Sequence, residues 1–483
     1  MTARVNSRQV FLGPSMSSIL YEDFIISRSG SGPYCGGVPY PYEMELATSP
    51  SLYRIKVICT DQDSDGDFDY NKDAVMELVA GLAPNLKDVS ISEIHSELSS
   101  SRRSMRRPLW QGLPGFSGAV TGSLTSLSLY CCGRSAIPNW AKHTDFDELQ
   151  HLVIGGGQLR RSCGIDSEEM EWIARNNSFP NLKTLFINLS RNDDYNEQPH
   201  YIEKAISFFL SINSLEELTI NGPMEPQMME SVLIHHGPTL KKLNLEPSEA
   251  TSNTRVRREV PMVFTEDQIL QIQALCPVLE KLAITIMRNK SSASEAAIYK
   301  RFGKMKNLQS LFLILDCANW RSGRDPTYND TRFEGEDREV VWDHSGIIVK
   351  RGNIGEALIN SAVNERLARS IWEAINQNKT GKQLERLNLW TRNGGVLKRL
   401  DANPSVDEFA QNMNRSWLIE RSPRDDTEDV TVKELRQHAR EAYERKWIRR
   451  MDPMVLGVFH FIWPQKQESR DWRDDWSSFP VQG

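Results

Sequence analysis

A six-residue pattern, apolar–x–x–apolar–x–apolar, recurs ten times along this chain, and no other feature restricts its fold as much. It reads LYRIKV from Leu52, LKDVSI from Leu86, LTSLSL from Leu124, LQHLVI from Leu149 and LKTLFI from Leu182. It continues as LEELTI from Leu215, LKKLNL from Leu240, LEKLAI from Leu279, LQSLFL from Leu308 and LERLNL from Leu384. Several copies follow a Pro-x pair, as in APNL, FPNL, GPTL and CPVL. Side chains alternate between the two faces of an extended chain. The last two apolar residues of each copy therefore share a face, and the residue between them points the other way. The first Leu turns the chain into the strand and packs inside.

One copy cannot fold alone. Its three inward side chains contribute roughly 1.5 to 3 kcal/mol each, about 5 to 9 kcal/mol together. Ordering about 30 residues costs several times that. Each strand needs neighbours on both sides and a second apolar layer, and the intervening segments supply the layer. DAVMELVAGLAP (73–84), SEEMEWIARNN (167–177), YIEKAISFFLSI (201–212), PQMMESVLIHHG (226–237) and TEDQILQIQALC (265–276) carry apolar residues at helical spacings. Thr265 and Gln268 form a capping-box signature.

Strand alternating with helix predicts an α/β leucine-rich-repeat solenoid. In such a curved horseshoe, parallel strands line the concave face and helices the convex one. Copies start 25 to 39 residues apart until the last interval, which is 76. That interval is expected to hold one repeat with a large insertion at about 317–356 and a long helix over 357–378. The organisation follows: an irregular segment over 1–50, the solenoid over 51–395, and a C-terminal capping segment and tail over 396–483. Within the last, VKELRQHAREAYERKWIRR (432–450) reads as a basic amphipathic helix covering the end of the stack, and the last dozen residues read as a frayed tail.

These repeats, over about residues 50 to 395, resemble the leucine-rich repeats of F-box proteins, in particular a divergent fungal family in which repeats follow an F-box. The resemblance implies a substrate-recognition component of a cullin-type ubiquitin ligase, with ligase subunits as further partners. One departure stands beside it. Residues 1–50 contain GSGPYCGGVPYPYE, too rich in Gly and Pro for the amphipathic helices of an F-box, so the chain reads as the repeat portion alone. A stand-alone binding module with no ligase link is the alternative.

Other motifs yield to the repeat. DQDSDGDFDYNKD (61–73) opens like a calcium loop, yet the bidentate Glu required at position 12 is Lys72, and a strand precedes it instead of a helix. It reads as a solvated loop; calcium binding there is the competing reading. The seven cysteines show no CxxC or Cys/His ligand spacing, which indicates neither zinc nor a disulfide framework and suits an intracellular, cytoplasmic or nuclear setting. Gly155–Gly157 lacks the rest of a phosphate-loop pattern, and His235-His236 reads as a helix end. Net charge −6 argues against a nucleic-acid partner, and no apolar run approaches 18 residues, so no membrane span is expected. No nucleophile or base context marks an enzyme. No catalytic residue, metal ligand or cofactor is expected.

The binding face is then the concave surface, formed by the residue inside each LxL and the one after it. Most of these are small or polar. Tyr130, Phe186, Phe312 and Trp390 are aromatic, a type enriched at interface hot spots. With Asn188, Asn221 and Asn244 they form the predicted protein-binding set. The alternative is that insertions or the C-terminal segment already cover the aromatics.

Overall fold

The structure, a computed structural model, describes residues 24–26, 45, 48–60, 70–94, 110, 112–118, 120–130, 136–155, 164–191, 198–250, 259–318, 333–344, 347–395, 404–422, 429–446 and 452–482. Its contacts divide the chain into two compact units, Met1–His236 and Gly237–Gly483. Both are mixed α/β, and in both the sheet is mostly parallel.

In the first unit, strands β1 (Phe24–Ile26), β2 (Arg54–Thr60), β3 (Asp88–Ile94), β4 (Ser126–Tyr130), β5 (His151–Ile154), β6 (Thr184–Asn188) and β7 (Glu217–Pro223) pair in parallel in chain order. The pairing holds one register. Ile55, Val89, Leu127, Leu152, Leu185 and Leu218 stand side by side, and all are buried. Helices α1 (Asn71–Glu77), α2 (Ala136–Trp140), α3 (Ser167–Asn176), α4 (Gln198–Ser211) and α5 (Pro226–His236) return the chain between strands, and α2 to α5 pack successively. α3 starts where Asp166 accepts from the backbone N–H of Glu168 and Glu169, satisfying donors that a helix start leaves unpaired.

In the second unit, β8 (Lys242–Ala250) carries a short antiparallel strand β9 (Glu259–Pro261) on its end. β10 (Lys281–Met287) and β11 (Ser310–Asp316) follow in parallel. A hairpin, β12 (Val340–His344) with β13 (Ile347–Lys350), interrupts before β14 (Arg386–Arg392), which pairs directly with β11 from Ser310↔Arg386 to Asp316↔Arg392. β15 (Ser416–Arg421) and β16 (Val430–Leu435) then reverse direction and end the sheet antiparallel. Leu243, Leu282, Leu311 and Leu387 form the buried row. The helices are α6 (Glu266–Leu275), α7 (Ala293–Gly303), α8 (Arg351–Ser361), α9 (Glu365–Asn376), α10 (Pro404–Met413), α11 (Gln437–Lys446) and α12 (Pro453–Ile462). The Thr265–Gln268 capping box opens α6 as its sequence predicts.

All ten sequence copies thus lie on parallel strands, and the geometry that repeats is richer than the apolar pattern. The second and third residues of a copy both donate their backbone N–H to the carbonyl of the second residue of the copy before. Lys87 and Asp88 bond Tyr53 O at 2.9 and 3.1 Å, and Glu385 and Arg386 bond Gln309 O at 2.8 and 3.1 Å. The first Leu closes a turn onto the carbonyl three residues upstream, as Leu182 does onto Phe179 O at 3.3 Å. Asparagines brace these turns. Asn85, Asn181 and Asn307 donate Nδ2–H to Pro50 O, Asp147 O and Pro277 O at 2.7, 2.8 and 2.9 Å, in each case to the carbonyl two residues before the preceding copy's first Leu. This explains the PNL spelling: Pro shapes the turn and Asn ties it to its neighbour.

Three expectations change. The helix expected over 357–378 is two helices. The chain leaves α8 at Ala362, Val363 bridges Asn414, and Asn364 caps α9 by accepting from Leu367 N. The basic segment from 432 begins as strand β16, and among its described residues the helix spans Gln437–Lys446. The final residues are docked. Trp476 and Ser478 are buried, Ser291 Oγ donates to Phe479 O at 2.8 Å, and Gln482 N donates to Ser291 O at 3.0 Å. α8, α10 and α12 enclose a second apolar cluster centred on Leu358, Phe409, Phe459 and Trp463, which the tail's Trp476 completes.

Candidate functional site

Because strand side chains alternate, burying the aliphatic row sets the residues between on the opposite face. In β4, β6, β7, β10 and β14 the residue inside each LxL (Ser128, Phe186, Thr219, Ala283 and Asn388) is half-buried. Phe186 stands between Val153 and Thr219, and Phe312 between Ala283 and Asn388. Both rings are half-buried. Tyr130 and Phe186 are half-buried in the first unit, two strands apart. In the second, Phe312 shares its strand face with Ile314, which lies beside Trp390. Asn244 is half-buried beside Ala283.

Two predicted residues differ from expectation. Asn188 is 7% exposed and accepts at Oδ1 from Asn221 Nδ2 at 3.0 Å. This amide pair fastens strand ends together, so Asn188 is a brace and not a presented contact. Trp390 is half-buried with the Arg436 guanidinium 4.3 Å from its ring centroid, so the C-terminal segment does lie over it.

The strand exits of the second unit hold charge that the repeat pattern does not reveal. Arg392 reaches Glu246 at 2.7 Å and Thr285 Oγ1 at 3.2 Å, and its Nε lies 3.8 Å from the Asp316 carboxylate. Asp316 is fully buried and accepts from Ala318 N and Asn393 Nδ2. Beyond β10, Arg288 pairs with Glu295, and both are buried. Glu295 also accepts from Asn289 N, Ser291 N and Tyr299 Oη. Burial works against the charge of Arg288, but Glu295 beside it holds the guanidinium above its ordinary value; burial, then Glu295, pushes the Tyr299 phenol up. These groups fasten β10 to the start of α7, with the Arg288 Nε left without a hydrogen-bond partner.

Of the groups bearing on chemistry, Cys276 is buried and pushed up to about 12 by that burial, and Cys317 is raised by burial as well. Neither holds a thiolate at neutral pH. Lys72, at the place of the calcium-loop Glu, pairs with Glu93 at 2.7 Å, while 61–69 lies outside the described residues. Among the described residues no three His, Cys, Asp or Glu side chains gather as a metal site, and no helix is long and apolar enough to cross a membrane. No protein-family model matches the chain, and no curated protein matches it.

Proposed function

We propose that the chain is a non-enzymatic protein-binding scaffold of the leucine-rich-repeat type, its repeats coiled into a horseshoe and its concave sheet face gripping a protein partner. The observation that carries this reading is the unbroken register of aliphatic rows within each unit, with half-buried Tyr130, Phe186, Asn221, Asn244 and Phe312 on the other strand face. Rigid strands hold such side chains at fixed separations. A partner then meets a preorganised surface and orders few groups on binding. The likeness to F-box repeats extends the proposal to substrate recognition beside a cullin-type ubiquitin ligase.

Affinity capture from lysate with mass spectrometry tests both parts, using the full chain beside Phe312→Ala and Phe186→Ala. The reading expects a reproducible partner whose recovery falls at least tenfold in one of the variants while the melting temperature stays within a few degrees. Recovery equal in all three chains removes the sheet face as the binding surface. Recovery of a partner without cullin-ligase subunits removes the ligase link alone.

A further inference from the structure

The cavity beside Trp390 in the second unit combines features that a purely structural packing defect does not need. It encloses about 310 Å3 and is lined by Trp390, Ser416, Glu434 and three arginines, Arg415, Arg436 and Arg440. Arg440 is committed: it grips Glu434 through two bonds of 2.6 and 3.1 Å and Glu444 through one of 2.7 Å. Glu434 is thereby largely neutralised, and Arg415 stands 4.0 Å from it.

The other two guanidinium groups lie against aromatic rings. Arg415 is 4.9 Å from the centroid of Trp476, with its Nε donating to Asn412 O at 3.3 Å. Burial, then the charge of Arg440, presses the Arg415 guanidinium below its ordinary value. Arg436 sits over Trp390 on a left-handed backbone with φ 58°, a conformation costly for a residue with a Cβ. Among the described residues Arg436 forms no ion pair. Three cations against the two carboxylates leave the cluster one positive charge in excess. A guanidinium on an aromatic face keeps its N–H edge free for a planar two-oxygen acceptor.

We propose that this cavity is a carboxylate-binding pocket that receives an acidic side chain of a partner polypeptide, held between Arg436 and Arg415 over Trp390. This rests on the protein-binding reading above and names the chemistry of one contact. The volume lies at the lower end of ligand pockets, suiting one side chain and its adjoining atoms. Nucleic acid suits it poorly, since the chain is net negative at −6. β16, the terminal strand of this unit's sheet, runs into the pocket wall through Glu434 and Leu435, which places a sheet edge beside the cavity for an extended partner segment.

The test is fluorescence anisotropy on the full chain with a labelled tetraglutamate peptide at low salt. Tetraglutamine of equal length and inorganic phosphate serve as competitors. Saturable binding is expected, weakened at least tenfold by Arg436→Gly, which suits the left-handed backbone and leaves the melting temperature unchanged or higher. Trp390→Leu is expected to weaken it less, and tetraglutamine not to compete. Equal binding by wild type and Arg436→Gly overturns the proposal, as does absence of binding or displacement by phosphate as effective as by unlabelled tetraglutamate. Failure here is distinguishable from failure of the scaffold reading. If Phe312→Ala loses a captured partner while Arg436→Gly changes nothing in either assay, only the pocket falls. If peptide binding depends on Arg436 and no sheet-face variant alters capture, only the concave-face reading falls.

Discussion

The two units stack the same aliphatic rows but finish their strands with different chemistry. In the first, β6 and β7 end in the neutral amide pair Asn188–Asn221, and Gly222 follows at φ 103° where an added Cβ would stand 2.3 Å from Leu189 O. In the second, Asp316 and Arg392 end their strands, Arg392 reaches Glu246 and Thr285, and the turn after β10 buries Arg288 against Glu295. The contrast separates two jobs within one repeat. The LxxLxL segment builds the rung and tolerates little change. The exit must only satisfy whatever polar groups it buries: the first unit adds an amide pair to ion pairs such as Arg191–Glu225, whose carboxylate stays partly exposed, whereas the second buries both partners of Arg288–Glu295.

The largest expected effect follows from the ions. Arg288→Met leaves the Glu295 carboxylate buried without its cation, which costs about 3 to 5 kcal/mol, read as a lowered urea midpoint. Adding Glu295→Gln is expected to recover most of that loss, because the penalty lies in the orphaned charge and not in the missing pair. A double variant as unstable as the single one would show that Arg288 acts by packing. The rows give the next effect and erase the contrast. Leu185→Ala and Leu311→Ala each empty a fully buried position and are expected to cost about 2 to 5 kcal/mol, alike in the two units.

A third effect belongs to the first unit alone. His236 is fully buried at the end of α5, and its Nε2 lies 3.1 Å from Phe209 O; a carbonyl only accepts, so Nε2 carries the proton. Burial, then the neighbouring His235, lowers it from 6.5 to about 4. Between those values the unfolded chain binds a proton that the folded chain refuses, so stability falls as pH drops from 6.5 toward 4 and is unaffected by this group above 6.5. At about 1.4 kcal/mol per unit the full loss is roughly 3 kcal/mol. Urea midpoints at pH 7 and pH 4.5 check it. His236→Gln, which retains a donor without the charge, is expected to flatten the slope.

Strands and helices were legible where one periodicity ruled. The ten triplets marked ten strands, and SEEMEWIARNN (167–177) and TEDQILQIQALC (265–276) marked helices within a residue or two. Legibility failed where two periodicities coincide. Val430 and Val432 alternate with Thr431 and Lys433 as in a strand, while Val432, Leu435 and Ala439 fit a helix, and pairing with β15 decides for the strand. The break between α8 and α9 had a signal in Asn364 followed by Leu367, a cap placed inside an apolar run. The docking of the tail had none, because Ser291 and Phe479 are 188 residues apart. The site divides the same way. Phe186 and Phe312 follow from position within the triplet, whereas Arg415, Arg436 and Arg440 meet Trp390 through an antiparallel addition that the repeat does not encode.

The smallest effect sharpens the comparison most. Asn221→Ala removes the donor to Asn188 Oδ1 but leaves an amide, not an ion, short of one bond. A neutral hydrogen bond contributes about 1 kcal/mol, so the loss should be several times smaller than for Arg288→Met. Asn188→Ala deletes the more buried partner and should cost slightly more, since it opens a small void as well. Asn188 and Asn221 touch, so the double variant should cost less than the sum of the singles, the difference being their coupling. Strict additivity would mean that the two amides act separately and that their contact does not fasten the strand ends.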